Sequence, residues 1–292
     1  MTAKPIVAAT DGSESSLRAV EWAAREAVLR GTALRIVSAA AMLPRMTGRQ
    51  DTPHVATVAD ILRRNRDQAL RAAAARAAGA APGLLVDTDA LSGQPAQAVA
   101  DSGSGALMIV VGSRGVGGFT AMVLGSVSRY AASHASCPVV VVRDESPFEH
   151  QLVGVGLGDL DDCARTLAFA FEEATVREAA LTAVHAWHAP QADTSRAGES
   201  FAAPTLRDAE AHARKQLEEL LGGWQEKYPD VLVRADVVHG HPARALVGLS
   251  ARADLVVIGR HPRHSALPGL GPVRHAVLNH AHGPVATIPS ET

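Results

Sequence analysis

The stretch "GQPAQAVADSGSGALMIVVGSRG", Gly93 to Gly115, returns as "GHPARALVGLSARADLVVIGRHP", Gly240 to Pro262, 147 residues later and without a gap. Each copy opens on a glycine-x-proline turn, runs through an alanine-rich helical segment and enters an apolar, β-branched run that ends at a glycine. Working outward, "RAVEWAAREAVLRGTALRIVSA" from Arg18 pairs with "RTLAFAFEEATVREAALTAVHA" from Arg165 at the same spacing. "HASCPVVVV" from His134 pairs with "HAHGPVATI" from His280 at a spacing of 146. Three matches in one order at nearly one period mean tandem duplication of a whole domain, because the period is far too long for a solenoid repeat. The domains are expected at 1–145 and 150–292, joined through the polar "DESPFEH" of Asp144–His150, which contains Pro147.

Both halves read alike. Each starts with a short apolar strand, "PIVAAT" or "QLVGVG", followed by a helix expected over Ser13–Arg30 or Asp161–Arg177. In the first helix Leu17, Val20, Ala24 and Ala27 recur at three and four, and Ser13 or Ser15 is placed to cap it. Then come the strands "ALRIVSAA" and "ALTAVHAW", long polar helices over Val55–Ala78 and Leu206–Lys227, and the strands "LLVDTDAL" and "VLVRADVV". Short helices after the Gly-x-Pro turns, the strands "ALMIVVG" and "DLVVIG", a loop, a last helix and the strands "PVVVV" and "PVATI" complete each unit. Apolar strands alternating with helices predict an α/β fold, a doubly wound parallel sheet of five strands in each half.

Composition narrows the function. The 292 residues are 47% hydrophobic and 20% charged, with a formal net charge of −2, which gives no electrostatic footprint for nucleic acid or an anionic membrane. No apolar run reaches the ~18 residues of a membrane span, so no membrane partner is expected. The opening "MTAKPIVAATDGS" runs directly into a strand, so no signal peptide and a cytoplasmic location are expected. The two cysteines, Cys137 and Cys163, lie in apolar stretches and read as buried, inert thiols. The histidines of the second half, His261, His264, His275, His280 and His282, lack the spacing of a zinc site. "HAPQADTSRAGESFAAPT" over 188–205 reads as a mobile polar loop.

The chemistry-bearing element is "GSRGVGGFTAMVLGSVS", Gly112 to Ser128, which follows the fourth strand of the first half. In open α/β sheets, ligands bind at the carboxyl ends of the strands. Gly112 and Gly115 would let backbone approach a ligand, and Gly117 and Gly118 extend that freedom. Gly125 precedes a helix whose N-terminal N–H groups and positive dipole end suit an anion. Ser126 and Ser128 add hydroxyls, and Arg114 a charge-assisted contact. The alternative is a plain glycine loop with a capped helix.

Gly112-x2-Gly115-x9-Gly125-Ser126 resembles the G-x2-G-x9-G-[S/T] motif of the ATP-binding subgroup of the universal stress protein family. "VAATDGSESSLRAVEWA", with its acidic Asp11, and "HASCPVVVV" are similar to that family's first strand and helix and its last strand. The resemblance covers both halves. It implies a strand order of 3-2-1-4-5, with Asp11 and the Gly112 loop flanking one crevice. It implies ATP as ligand, with Mg²⁺ as a plausible companion to the triphosphate. Asp11 would lie near the nucleoside, although a helix-capping aspartate is the competing reading. Ala9 and Val111 would line the base pocket, and backbone at Val37 and Ser38 would meet the adenine edge. Gly112, Arg114, Gly115, Gly125, Ser126, Val127 and Ser128 carry over to the ribose and phosphate contacts. It further implies antiparallel pairing of the last strands, which here would join the two halves as a pseudo-dimer within one chain; a homodimer of chains is also expected.

The second loop, "GRHPRHSALPGLGPVRH", departs from this pattern. Pro262 falls on the second motif glycine, the loop is one residue shorter, and Pro272 stands where Ser126 stood, with neither an N–H nor a hydroxyl to offer. Gly158 occupies the place of Asp11, with Asp159 one step on. The second half is therefore expected to bind ATP poorly or not at all. An opposing reading has Arg260, His261, Arg263 and His264 holding an anion by charge. Three functions stay open: a non-enzymatic ATP-binding stress regulator, a slow ATP hydrolase or nucleotide-transferring enzyme, and a nucleotide-free protein-interaction module.

Overall fold

A computed structural model describes residues 4–39, 53–115, 124–143, 150–158, 160–187, 206–260 and 270–290. The first half runs β1 (Ile6–Ala9), α1 (Glu14–Leu29), β2 (Leu34–Ala39), α2 (Pro53–Ala80), β3 (Val86–Leu91), α3 (Pro95–Asp101), β4 (Met108–Gly112), α4 (Ser126–His134) and β5 (Val139–Val142). The second repeats it: β6 (Leu152–Leu157), α5 (Ala164–Val176), β7 (Ala180–Trp187), α6 (Leu206–Lys227), β8 (Val233–His239), α7 (Pro242–Ser250), β9 (Leu255–Gly259), α8 (Pro272–His280) and β10 (Val285–Ile288).

The elements follow their local chemistry. β1, β4 and β5 are apolar runs buried along their whole length, and β10, with Thr287 as its one polar residue, is buried likewise, as strands covered on both faces require. α1 starts at the N-cap Ser13, whose hydroxyl accepts the Ser16 N–H, so of the two serines read as caps Ser13 takes the role. Small residues on its inner face (Ala19, Ala23, Ala24 and Ala27) let the helix lie close on the sheet. α5 begins three residues later than expected, at Ala164, with Cys163 as N-cap. Both cysteines are buried, and burial pushes the Cys137 thiol up to about 11. The join at 144–149 and the segment 188–205 lie outside the described residues.

Within each half the strands are parallel in the order 3-2-1-4-5. The two sheets are continuous. β5 and β10 pair antiparallel, Val141 with Val285 and Val139 with Thr287, giving one ten-stranded sheet, β3-β2-β1-β4-β5-β10-β9-β6-β7-β8. Each half thereby covers the other's open edge. Apolar cores line both faces and each runs through both halves: α1, α2, α5 and α6 cover one face, and α3, α4, α7 and α8 the other.

The palindromic order places α1 beside α5, and a cross of four charges forms there. Arg30 pairs with Glu26 on its own helix and with Glu173 of the other half, both at 2.6 Å. Arg177 pairs likewise with Glu173 and Glu26. The two carboxylates are 1% and 0% exposed. Arg177 sits over Trp22 and Arg30 over Phe169. Trp22 and Phe169, Glu26 and Glu173, and Arg30 and Arg177 are each 147 residues apart, so the cross is built by the repeat on itself.

Candidate functional site

At the carboxyl ends of β1 and β4 a cavity of about 580 Å³ opens, walled by the β1–α1 turn, the tip of β2, α3 and the N-terminus of α4. Ten of the twelve residues singled out from the sequence line it: Ala9, Asp11, Val111, Gly112, Arg114, Gly115, Gly125, Ser126, Val127 and Ser128.

The other two do not. Val37 is fully buried inside the sheet, and its carbonyl accepts the Thr10 N–H at 2.9 Å. Ser38 is buried beside it, and Ala39 is the β2 residue that reaches the cavity. Thr10, Ser16, Pro95, Val99 and Leu124 also line the wall. The Gly93-x-Pro95 turn was the available signal for α3, which reaches the site because β3 lies outside β2 and its returning helix folds back over the strand ends.

The β1–α1 turn is tightly knitted. Asp11 Oδ1 accepts from both the N–H and the hydroxyl of Ser13, at 3.0 and 2.6 Å. Thr10 Oγ1 accepts the Gly12 N–H and lies 3.0 Å from Ser16 Oγ. Asp11 thus steadies the N-cap residue without being the cap. Gly12 takes a φ of +83°, the left-handed conformation that favours glycine.

The motif glycines have a different reason. Gly112, Gly115 and Gly125 are not among the positive-φ glycines, and close approach decides the first two. A Cβ on Gly112 would stand 2.7 Å from the Ser15 carbonyl oxygen, where α1 crosses β4. A Cβ on Gly115 would stand 2.6 Å from Asp11 Oδ2, so the loop and the carboxylate face each other directly. Gly125 has an ordinary extended conformation, with nothing closer than 3.6 Å to an added Cβ. Gly117 and Gly118 lie outside the described residues.

Gly125 caps α4 without a side-chain hydrogen bond, and the first turn of the helix, Ser126 to Ser128, lines the cavity. Ser128 Oγ donates to the Gly112 carbonyl at 2.6 Å, so this hydroxyl ties α4 to β4 where the sequence suggested a donor for a ligand. Among the described residues no group of three or more His, Cys, Asp or Glu is placed to hold a metal. No helix among them is long and apolar enough to cross a membrane.

The equivalent place in the second half is a smaller cavity of about 220 Å³. Arg260, which only the opposing reading had holding an anion there, turns its guanidinium to the Ala135 carbonyl at the end of α4. Burial holds its pKa down at about 10, with the charges of Arg274 and Arg165 adding to the fall. His261, Pro262, Arg263 and His264 lie outside the described residues, as does Asp159.

A doubly wound sheet duplicated about its last strands, with a crevice between β1 and β4, defines a tandem α/β protein of the strand order 3-2-1-4-5. The profile of the Universal stress protein family matches residues 2–143 and again 149–289. A universal stress protein of Mycobacterium tuberculosis is 34% identical over 313 residues, covering 98% of this chain and 96% of the relative. One from Mycolicibacterium smegmatis is 34% identical over 293 residues, covering 97% and 96%. The crystal structure of a universal stress protein from Archaeoglobus fulgidus shares the fold across 99% of both chains, with a TM-score of 0.72 at 18% identity. The chain belongs to the universal stress protein family.

Proposed function

We propose that the first half binds ATP in the crevice between β1 and β4, and that occupancy biases the conformation or assembly of a stress-response regulator. The observation that carries this reading is the opposition of the α4 N-terminus and the Gly115–Asp11 contact across one cavity of about 580 Å³. The volume falls within the ~300–1,000 Å³ of small-molecule sites. The helix N-terminus supplies N–H donors and a positive dipole end for phosphates, Arg114 a cation, and Asp11 an acceptor for ribose hydroxyls. Ala9, Val111 and Val99 offer an apolar wall for the base. Mg²⁺ accompanying the triphosphate would take its ligands mainly from phosphate oxygens and water.

In this reading residues 1–145 form the nucleotide domain and 150–292 a companion whose last strand replaces a second subunit's, in a cytoplasmic protein. Because β10 already covers β5, any homodimer must use another surface. Calorimetry of the full chain tests the reading, with one ATP per chain expected. The Gly115→Val, Ser126→Ala double variant is expected to abolish binding while keeping the fold by circular dichroism. Wild-type protein that releases no nucleotide on denaturation and gives no binding signal with ATP would overturn it.

A further inference from the structure

The helix whose first turn lines the larger cavity, α4, is held partly by its own half and partly by the other. From the first half, the Gly125 N–H donates to the Ser113 carbonyl at 2.9 Å and the Ser128 hydroxyl to the Gly112 carbonyl, both tying the start of α4 to the end of β4. From the second half come two further ties, one at each end. Asn279 Oδ1 accepts the N–H of Leu124, the residue before the N-cap, at 2.9 Å. Arg260 donates from its guanidinium to the carbonyl of Ala135, the C-cap.

Both ties start from anchored residues. Arg260 directly follows β9, and its backbone N–H donates to the Ile288 carbonyl at the end of β10 at 2.8 Å. Asn279 is steadied by the His275 carbonyl, and Arg143, directly after β5, donates to the neighbouring Leu278 carbonyl at 2.8 Å. The halves differ here. At the repeat positions of Arg260 and Asn279 the first half carries Ser113 and Ser133, and the Ser133 hydroxyl turns back to the Arg129 carbonyl of its own helix.

We propose that Arg260 and Asn279 are positioning residues for the first-half cavity: through them the second half sets where the N-terminus of α4 stands, and so how tightly phosphates are held there. This rests on the reading that the cavity binds ATP.

The geometry explains how an end far from the cavity counts. α4 has nine residues, so it is only about 13.5 Å long, and a tilt at the C-cap is carried to the first turn. The Arg260 guanidinium occupies one of the carbonyls left over at the helix end and sets a positive charge at the negative end of its dipole. Phosphate held at a helix N-terminus depends on N–H groups aimed at it, and such bonds weaken steeply with distance and angle. A nucleoside without phosphates would rest instead on Ala9, Asp11 and Val111, which belong to β1, the β1–α1 turn and β4. Loss of the brace therefore separates ATP from adenosine.

Calorimetric titration of the full-length protein with ATP and with adenosine tests this. Arg260→Gln should weaken ATP about fivefold and leave adenosine within about twofold of the wild type. Arg260→Lys, which keeps the charge and a donor, should stay within about twofold of the wild type for both. Asn279→Ala should likewise cost ATP more than adenosine, and decides the comparison should Arg260→Gln not fold. In the ligand-free protein, exchange of the Leu124 amide should quicken about fivefold in Arg260→Gln, because releasing the C-cap loosens the whole helix against Asn279. Equal losses for ATP and adenosine would mark a general loosening of the cavity and overturn the proposal, as would an Arg260→Gln protein that binds ATP like the wild type. Wild-type protein that binds neither ligand overturns the ATP reading instead. The Leu124 amide then decides the brace by itself, and an unchanged exchange rate sinks it.

Discussion

Asn279 Oδ1, on α8 of the second half, accepts the backbone N–H of Leu124 at 2.9 Å, immediately before the N-cap of α4 in the first half. Asn279 is itself buried and is held by donating its amide N–H to the His275 carbonyl at 2.7 Å. Leu124 lines the larger cavity, so a residue of one half holds the cavity-facing edge of the other.

Asn279→Ala is therefore expected to leave the Leu124 N–H buried without that partner, at a cost of about 1–3 kcal/mol. Thermal unfolding should show the loss. ATP affinity should fall about tenfold by calorimetry, although no atom of Asn279 lines the cavity. Unchanged ATP affinity would mean that the α4 N-terminus holds its place without α8.

The three motif glycines should respond differently to alanine. Gly112→Ala drives a Cβ against the Ser15 backbone and should cost about 1–3 kcal/mol of stability. Gly115→Ala meets the end of the Asp11 side chain, which can move, so ATP binding should weaken while the thermal midpoint holds. Gly125→Ala has room and an ordinary φ, and should change stability by less than about 0.5 kcal/mol. Denaturation midpoints and ATP titrations of the three variants check this order.

Ser128→Ala removes the bond from its hydroxyl to the Gly112 carbonyl and should cost about 1 kcal/mol of stability. Because that hydroxyl is turned to β4, ATP affinity should change less than about threefold by calorimetry. A larger loss would show that the hydroxyl turns to the ligand on binding.

The charge cross predicts a pH dependence. Burial pushes the Glu173 carboxyl up from 4.5 to about 7, with Glu26 adding to the rise while Arg177 and Arg30 oppose it. A carboxyl with a higher pKa when folded than when unfolded holds its proton more tightly in the fold. Its contribution to stability is complete below about pH 4.5 and is lost as the pH climbs to about 7. The thermal midpoint of the wild type should fall across that window relative to Glu173→Gln, and the two should run parallel above about pH 8. Parallel curves throughout would show that Glu173 holds its proton no more tightly in the fold than in the unfolded chain.

Much of the fold was written in local pattern. The 147-residue repeat, the apolar runs and the glycine-x-proline turns placed the elements to within a few residues, and α6 and β7 fell on their expected bounds. Ser13 as a cap and the Gly112–Ser128 loop follow from short-range chemistry, since cap, turn and helix N-terminus are set by residues within one turn of each other. The rest depends on partners distant in sequence. Val37 and Ser38 came from the family resemblance; in the fold they lie buried in β2, and Ala39 is the β2 residue that lines the cavity. Pro95 and Val99 reach the cavity because α3 folds back over it, which no spacing encodes. Glu26 and Arg30 stand four residues apart with nothing local to mark them as buried; the same pair 147 residues on makes them a buried cross.

By itself the sequence determined a duplicated doubly wound domain with a glycine-rich loop in the first copy that the second copy alters. Periodicity and turn chemistry are local and survive in the linear order. The pairing of the last strands was already expected, but only the tertiary structure decided its register, that Asn279 braces the other half's α4, and that the altered copy keeps a cavity with Arg274 in its lining. These are matters of burial and close contact between residues more than a hundred positions apart, and they exist only once both halves share one sheet.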